Sequence, residues 1–146
     1  RAMYELKEKS HHQQFTVNQC GLFVDMGKPF LGASPDGVIS CACHSAKLLE
    51  IKCSHKFRNI AAEDIANTDP GYHLHLDDKS IKLKTTSPWY SQIQFQLGIT
   101  GFRECQLVVF TRKSFIIISV DFDAEFYSML EQKAEEIFVA GVIPNL

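Results

Sequence analysis

The stretch Leu31–Lys52, LGASPDGVISCACHSAKLLEIK, constrains the fold more than any other part of the chain. It reads as two strands joined by a turn, because the small and polar segment Ser40–Lys47 separates two apolar-rich runs. Leu48–Cys53 is the second strand. Alternation sends Leu49, Ile51 and Cys53 to one face and Glu50 and Lys52 to the other. Phe30–Ile39 is the first strand, interrupted by Pro35, a residue that strands accept at edges and bulges. The bend there is expected to aim Asp36. With the turn centred near Cys43 and His44, Asp36 falls opposite Glu50, so one sheet face is expected to gather two acids and a lysine.

The flanking segments supply the rest of a mixed α/β sheet with helices on it. Residues 1–10 read as the end of a helix, with Ala2, Met3 and Leu6 on one face. A chain that opens at Arg1 in mid-helix reads as an excerpt of a longer protein. His11–Gln14 suit a solvated loop, Phe15–Val24 a strand bent near Gly21, and Asp25–Pro29 a turn. Ile60–Ala66 suits a short helix. Tyr72–Leu76 and Ile81–Leu83 suit a hairpin across Asp77, Asp78 and Lys79. Ser87 and Pro88 have the N-cap and N1 chemistry of a helix running from about Trp89 to Gly98 or Thr100, stopped by Gly101. Glu104–Thr111 and Ser114–Val120 read as strands, and the run Ile116–Ile118 predicts burial on both faces of the second. A helix over Asp123–Ala140 follows, its apolar stripe formed by Phe126, Leu130, Ala134 and Ile137/Phe138, with Gly141 and Pro144 ending it.

The 146 residues suit a single domain, 1–146, with its own core. No apolar run is long enough for a membrane span and no secretory leader is visible. Five cysteines, an odd number without such a leader, imply free thiols in a reducing, intracellular compartment, the nucleus if the host is eukaryotic. The net charge of −2 is not that of a strongly basic nucleic-acid binder. Any DNA contact must therefore rest on local basic patches and on metal ions.

Two carboxylates and a lysine on one face suit metal-assisted phosphodiester cleavage. A divalent metal neutralises the phosphate charge and lowers the pKa of an attacking water. Mg²⁺ needs only one or two carboxylates and keeps several waters, and Mn²⁺ is expected to substitute. Asp36, Glu50 and the backbone carbonyl of Ile51 are the candidate ligands, and Lys52 can orient the water. The bland alternative is a solvated acid and a surface i,i+2 pair. It does not explain why Glu50 and Lys52 alternate with apolar residues opposite an SPDG bend.

Three blocks carry a resemblance: Leu31–Gly37 (LGASPDG), Leu49–Cys53 (LEIKC) and Tyr90–Leu97 (YSQIQFQL). Together they resemble the YqaJ-like viral recombinase family, relatives of phage lambda exonuclease that carry the PD-(D/E)XK nuclease signature. Val108–Thr111, Phe122–Phe126 and Ile143–Leu146 fit as well, so the resemblance spans nearly the whole chain. It implies a restriction-endonuclease-like core, a mixed central β-sheet flanked by helices, that digests DNA with Mg²⁺, typically from a duplex 5′ end. It implies metal ligation by Asp36 and Glu50, a catalytic Lys52, and Gln92 positioning the lysine or the water, with Gln94 close by; on a helix Gln92 and Gln96 share a face and Gln94 points elsewhere. A homo-oligomer and a recombinase or annealing partner are further implications. One departure stands out. The family has an acid on its first helix, upstream of the position where this chain begins. Glu5 has the wrong spacing to replace it, and Asp25 is a weaker supporting candidate.

Other residues are weighed against plainer readings. Ser34, Lys56, Arg58, Tyr90 and Gln94 are candidate DNA contacts, with Lys79, Lys82 and Lys84 nearby and Tyr72 and Trp89 available for stacking. Glu63, Asp64, Asp77 and Asp78 dilute that patch. His73 and His75 read as hairpin surface groups. Cys41, Cys43 and His44, with Cys53 and His55, are the candidate zinc ligands. The hairpin separates Cys53 from Cys41, and there is no CxxC pair, so packed or turn thiols are the better reading. Two alternatives to a DNA exonuclease remain: a catalytically inactive nuclease-fold module that binds DNA or protein, and an endonuclease or RNA-directed nuclease using the same site.

Overall fold

A computed structural model describes residues 1–145. A five-stranded mixed sheet forms its centre, in the order β1 (Thr16–Asn18), β4 (Gly37–Ser40), β5 (Lys47–Cys53), β8 (Glu104–Phe110), β9 (Phe115–Asp121). β4 and β5 pair antiparallel, with Gly37 opposite Leu49. β5 and β8 pair parallel, with Glu50 opposite Leu107. A parallel pair needs a long crossover, and residues 54–103 supply it. They contain a 3₁₀ turn (Ala62–Asp64), α2 (Ile65–Thr68), the β6–β7 hairpin (Leu74–Asp77, Ser80–Leu83) and α3 (Pro88–Thr100).

Both faces of the sheet are covered. On one face Leu48, Leu107, Val109, Ile118 and Val120 pack with Ile93 and Leu97 of α3. On the other, Ile39, Leu49 and Val108 pack with Phe15 and with Tyr4 of α1 (Ala2–Lys9). Even-numbered residues of β5 therefore point toward α3, and Glu50 and Lys52 share that face with Leu48. The expected α3 forms as its sequence dictates. The Ser87 hydroxyl accepts from Trp89 N–H at 3.1 Å, Pro88 occupies N1, and Gly101 ends the helix at φ 75°, which favours glycine. In the β6–β7 turn both Asp78 and Lys79 have positive φ (44° and 69°), the twist a two-residue hairpin needs.

Several expected elements differ. The strand placed over Phe15–Val24 splits into β1 and β2 (Phe23–Val24), and that over Phe30–Ile39 into β3 (Gly32–Ala33) and β4. β2 and β3 pair with each other, outside the main sheet. Pro35, buried between β3 and β4, cannot donate to a ladder, so the sheet breaks there. Cys53 is exposed rather than packed, and Ile116 and Ile117 are only half-buried because β9 is an edge strand. α4 (Ala124–Ile137) buries no residue fully, and Gly141 does not end the helical course. It continues as a π turn over Phe138–Val142 and a 3₁₀ turn over Ile143–Asn145. Leu146, the end of the motif at 143–146, lies outside the described residues.

Gln94 ties these layers together. It is fully buried, its amide donates to Asp121 O at 2.8 Å, and its oxygen accepts from Asp123 N–H at 2.8 Å. Gln94→Met removes both bonds at the β9–α4 junction. Urea denaturation should show a loss of about 1–3 kcal/mol, with no change in the sheet's far-ultraviolet signature.

Candidate active site

Glu50 and Lys52 stand on β5, one turn of alternation apart, on the face that α3 covers. Lys52 Nζ donates to Glu50 Oε1 at 2.8 Å and to Gln92 Oε1 at 2.8 Å. The Gln92 amide closes the triangle by donating to Glu50 Oε1 at 2.8 Å. From the next turn of α3, Gln96 donates to Glu50 Oε2 at 3.0 Å. Gln92 and Gln96 reach the same carboxylate because an i,i+4 pair shares a helix face. Glu50 is 4% exposed, so its charge is removed from water and held by one ammonium and two amides. These use three of the about four lone-pair sites of a carboxylate.

Asp36 is held differently. It is exposed, and its Oδ2 accepts from the Ile51 backbone N–H at 2.7 Å. Continuing the β4–β5 register beyond Gly37–Leu49 puts Asp36 opposite Glu50. A side chain at Gly37 would be tight, since a Cβ would lie 3.1 Å from Asn18 O and 3.1 Å from Val17 Cγ1 of β1. With Oδ2 bonded to the main chain, Oδ1 of Asp36 accepts no hydrogen bond among the described residues. One open oxygen on Asp36, one remaining lone pair on Glu50 and a nearby backbone carbonyl at Ile51 make a hard, all-oxygen donor set. Such a set suits Mg²⁺ or Mn²⁺ and not a soft metal.

An aromatic wall flanks Lys52. Its Nζ lies 5.9 Å from the Trp89 ring centroid, and Trp89 stacks on His73 at 4.0 Å and meets Tyr72 edge-on at 5.6 Å. His73 is thus half-buried, not the surface group expected. Burial, with Lys84 and Lys52 adding repulsion, holds its imidazole below the ordinary histidine range. Beneath the site, burial first and then the Glu50 and Asp36 charges push the Cys105 thiol well above its usual range.

The remaining sequence candidates do not converge on these groups. Gln94 is corrected from DNA contact to internal strut, because both ends of its amide are used inside the fold. The Tyr90 hydroxyl donates to Asp123 Oδ2 at 3.2 Å, and its ring packs edge-on against Phe126, which turns it toward α4. Lys56 pairs with Asp69 at 2.5 Å, and Arg58 bonds the His55 carbonyl at 2.9 Å. Ser34 is exposed two positions before Asp36. Asp25 caps its own turn, accepting from Gly27 and Lys28 N–H at 2.8 and 2.9 Å, and Glu5 pairs with Arg1. The i+4 spacing places Gln96 on the face of Gln92, and the contact with Glu50 gives it the role that the spacing alone does not assign. A cleft of about 640 Å³ lies elsewhere, between the β6–β7 hairpin, β9 and the start of α4.

A family described as the YqaJ-like viral recombinase domain matches residues 1–103. Among solved structures, the alkaline exonuclease LHK-Exo from Laribacter hongkongensis superposes with a TM-score of 0.65 at 22% identity, over 95% of this chain and 61% of that one. LHK-Exo in complex with dAMP gives a TM-score of 0.66 at 22% identity, over 95% and 60%. At that identity the likeness is one of fold, and the chain spans about 60% of the length of these structures. No curated protein matches the sequence.

Two measurements probe this electrostatic arrangement. Glu50→Leu strands the Lys52 and Gln96 donors and should lower unfolding free energy by about 2–3 kcal/mol, whereas Asp36→Asn, exposed and held by one N–H, should cost under about 1 kcal/mol. His73 should titrate by NMR below the unfolded value of about 6.5. Its folded pKa is depressed, so the stability it contributes is complete above that value and is lost as pH falls through the folded pKa.

Proposed function

The chain belongs to the YqaJ-like viral recombinase domain family, and from that premise we propose that it is a Mg²⁺-dependent deoxyribonuclease acting as an exonuclease on duplex DNA ends, in the 5′ to 3′ direction. The observation that carries this reading is the joined Asp36–Ile51 and Glu50–Lys52–Gln92 contacts at the mouth of β5. The fold shared with LHK-Exo supports it.

Asp36, Glu50 and the Ile51 carbonyl would hold the metal. When bound, Mg²⁺ would neutralise phosphate charge and make a nearby water a better nucleophile at neutral pH. The protein's own groups do the positioning. Gln92 fixes Lys52 Nζ by accepting one of its hydrogens, so the ammonium is directed and not merely nearby. Held there, Lys52 can orient the attacking water for in-line approach to phosphorus and stabilise negative charge as it develops. Gln96 keeps Glu50 from rotating away. Trp89, beside Lys52, offers a face on which a terminal base can stack.

The proposal is tested on linear duplex and covalently closed circular DNA, with Mg²⁺ and with EDTA. Linear duplex should be degraded only with Mg²⁺ and the circle should survive. Lys52→Ala should lower the rate by about 10²–10⁴-fold, within the range for a lost positioned proton-handling group. Nicking of the circle would identify an endonuclease, and an inert wild-type chain would favour a binding module.

A further inference from the structure

A second cluster lies at the opposite end of the β4–β5 hairpin, and the nuclease reading makes no use of it. His12, Cys41 and Cys43 each offer a donor atom, and these atoms lie within 4.8 Å of one another. Among the described residues no other three His, Cys, Asp or Glu side chains converge in this way. His12, expected in a solvated loop, is half-buried against Phe15, its ring stacked at 5.6 Å. Cys53 and His55, weighed with Cys41 and Cys43 from the sequence, lie at the other end of β5 and play no part.

We propose that His12, Cys41 and Cys43 form a structural zinc site, with the neighbouring His44 as fourth ligand. The donor set, two thiolates and imidazole, is the soft and borderline chemistry zinc prefers, in contrast to the all-oxygen set at Asp36. Zn–S and Zn–N bonds of about 2.3 and 2.0 Å place tetrahedral donors about 3.3–3.8 Å apart, so the observed cluster needs only small side-chain rotations.

The surroundings are those of ligands more than of packed thiols. His12 Nε2 lies 3.4 Å from the buried Glu8 carboxylate, which leaves Nδ1 as the open donor of the ring. That Nδ1 is buried and has no hydrogen-bond partner among the described residues. A carboxylate on the far nitrogen is the usual way a zinc-binding histidine is oriented. Both sulfurs accept backbone N–H groups: Cys43 N–H reaches Cys41 Sγ at 3.4 Å, and Gln13 N–H reaches Cys43 Sγ at 3.3 Å. These contacts fix both sulfurs on the turn. His44 stands perpendicular to His12 with ring centroids 5.0 Å apart. Its Nδ1 bonds the Ser45 carbonyl at 2.8 Å, which directs the lone pair to Nε2. A plain core role would leave His12 Nδ1 unexplained, since a buried unpaired nitrogen is costly.

The site would clamp the segment after α1 to the β4–β5 turn. β4 separates it from Asp36 by about 16 Å at about 3.3 Å per residue, so its role is to fix the hairpin and not to touch substrate.

The chain is loaded with zinc under a phosphine reductant, passed through gel filtration and assayed for metal; the apo-protein is titrated with cobalt. One zinc per chain should be retained, and cobalt should give a thiolate charge-transfer band with tetrahedral d–d absorption. Both should vanish in Cys41→Ser and Cys43→Ser and persist in Cys53→Ser and Asp36→Asn. Glu8→Gln should weaken zinc binding about 10–100-fold. A wild-type chain that elutes without zinc and shows no thiolate band overturns the proposal, as does zinc lost with Asp36→Asn but kept with Cys41→Ser. The cobalt band is read on the wild-type chain, so the test stands even if a serine variant does not fold.

Discussion

The buried charge of Glu50 is the interaction on which the rest of the structure depends. Taking a carboxylate out of water costs several kcal/mol unless the fold supplies compensating donors. Here they come from two elements far apart in sequence: Lys52 on β5, and Gln92 and Gln96 on α3. α3 can deliver both amides only if it crosses the sheet at one depth and one rotation. Ile93 and Leu97 set that rotation by packing on Leu48, Leu107 and their neighbours. The apolar packing and the polar network are therefore one constraint, with 93 and 97 seating the helix while 92 and 96, one position earlier, meet the acid.

The two carboxylates are held by different means, and this separates their roles. Glu50 is fixed in depth by side chains, whereas Asp36 is fixed at the rim by the main chain through the Ile51 N–H. Pro35 and Gly37 make the second arrangement possible. The proline ends the ladder before the acid, and the glycine lets β1 lie against the backbone just after it. A rim carboxylate with one bonded and one open oxygen can meet an incoming ligand without first breaking internal bonds. A buried one with three donors holds the lysine in place and keeps one lone-pair site open.

Much of this was legible in the sequence. The hairpin, its register and the α3 cap follow from local chemistry: alternation in LLEIK, small residues in the turn, Ser87-Pro88 and Gly101. The α3 glutamines were legible as a face but not as a network, because nothing local says that Glu50 lies beneath them. The broken strands at 15–24 and 30–39 were misread because periodicity cannot distinguish one bent strand from two that join different sheets. α4 was read correctly as helix, but its apolar stripe overstated burial, since none of its residues is fully buried among the described residues. His12 escaped because its partners are contributed by a turn some thirty residues away.

Electrostatics outside the site bear on how a polyanion would be met. The net charge of −2 gives no general attraction, and several basic side chains are already neutralised: Lys28 by Glu131 and Glu135, Lys47 by Glu104, Lys56 by Asp69, Lys82 by Asp77. The hydrogen bond from Lys56, then that from the Gly71 backbone, pulls the Asp69 carboxyl below its ordinary range. A phosphate reaching Lys56 must therefore displace an established acid. The exposed lysines thus contribute less than their number implies, because each exchange trades one anion for another and releases few counterions. Arg58 and Arg112 escape this exchange. They border a cleft with Cys53 and His55 at the end of β5, and among the described residues the Arg58 side chain is tied only to a neutral carbonyl. In the proposed reaction, backbone contact would then fall to that cleft, which lies at the end of β5 that follows Glu50 and Lys52.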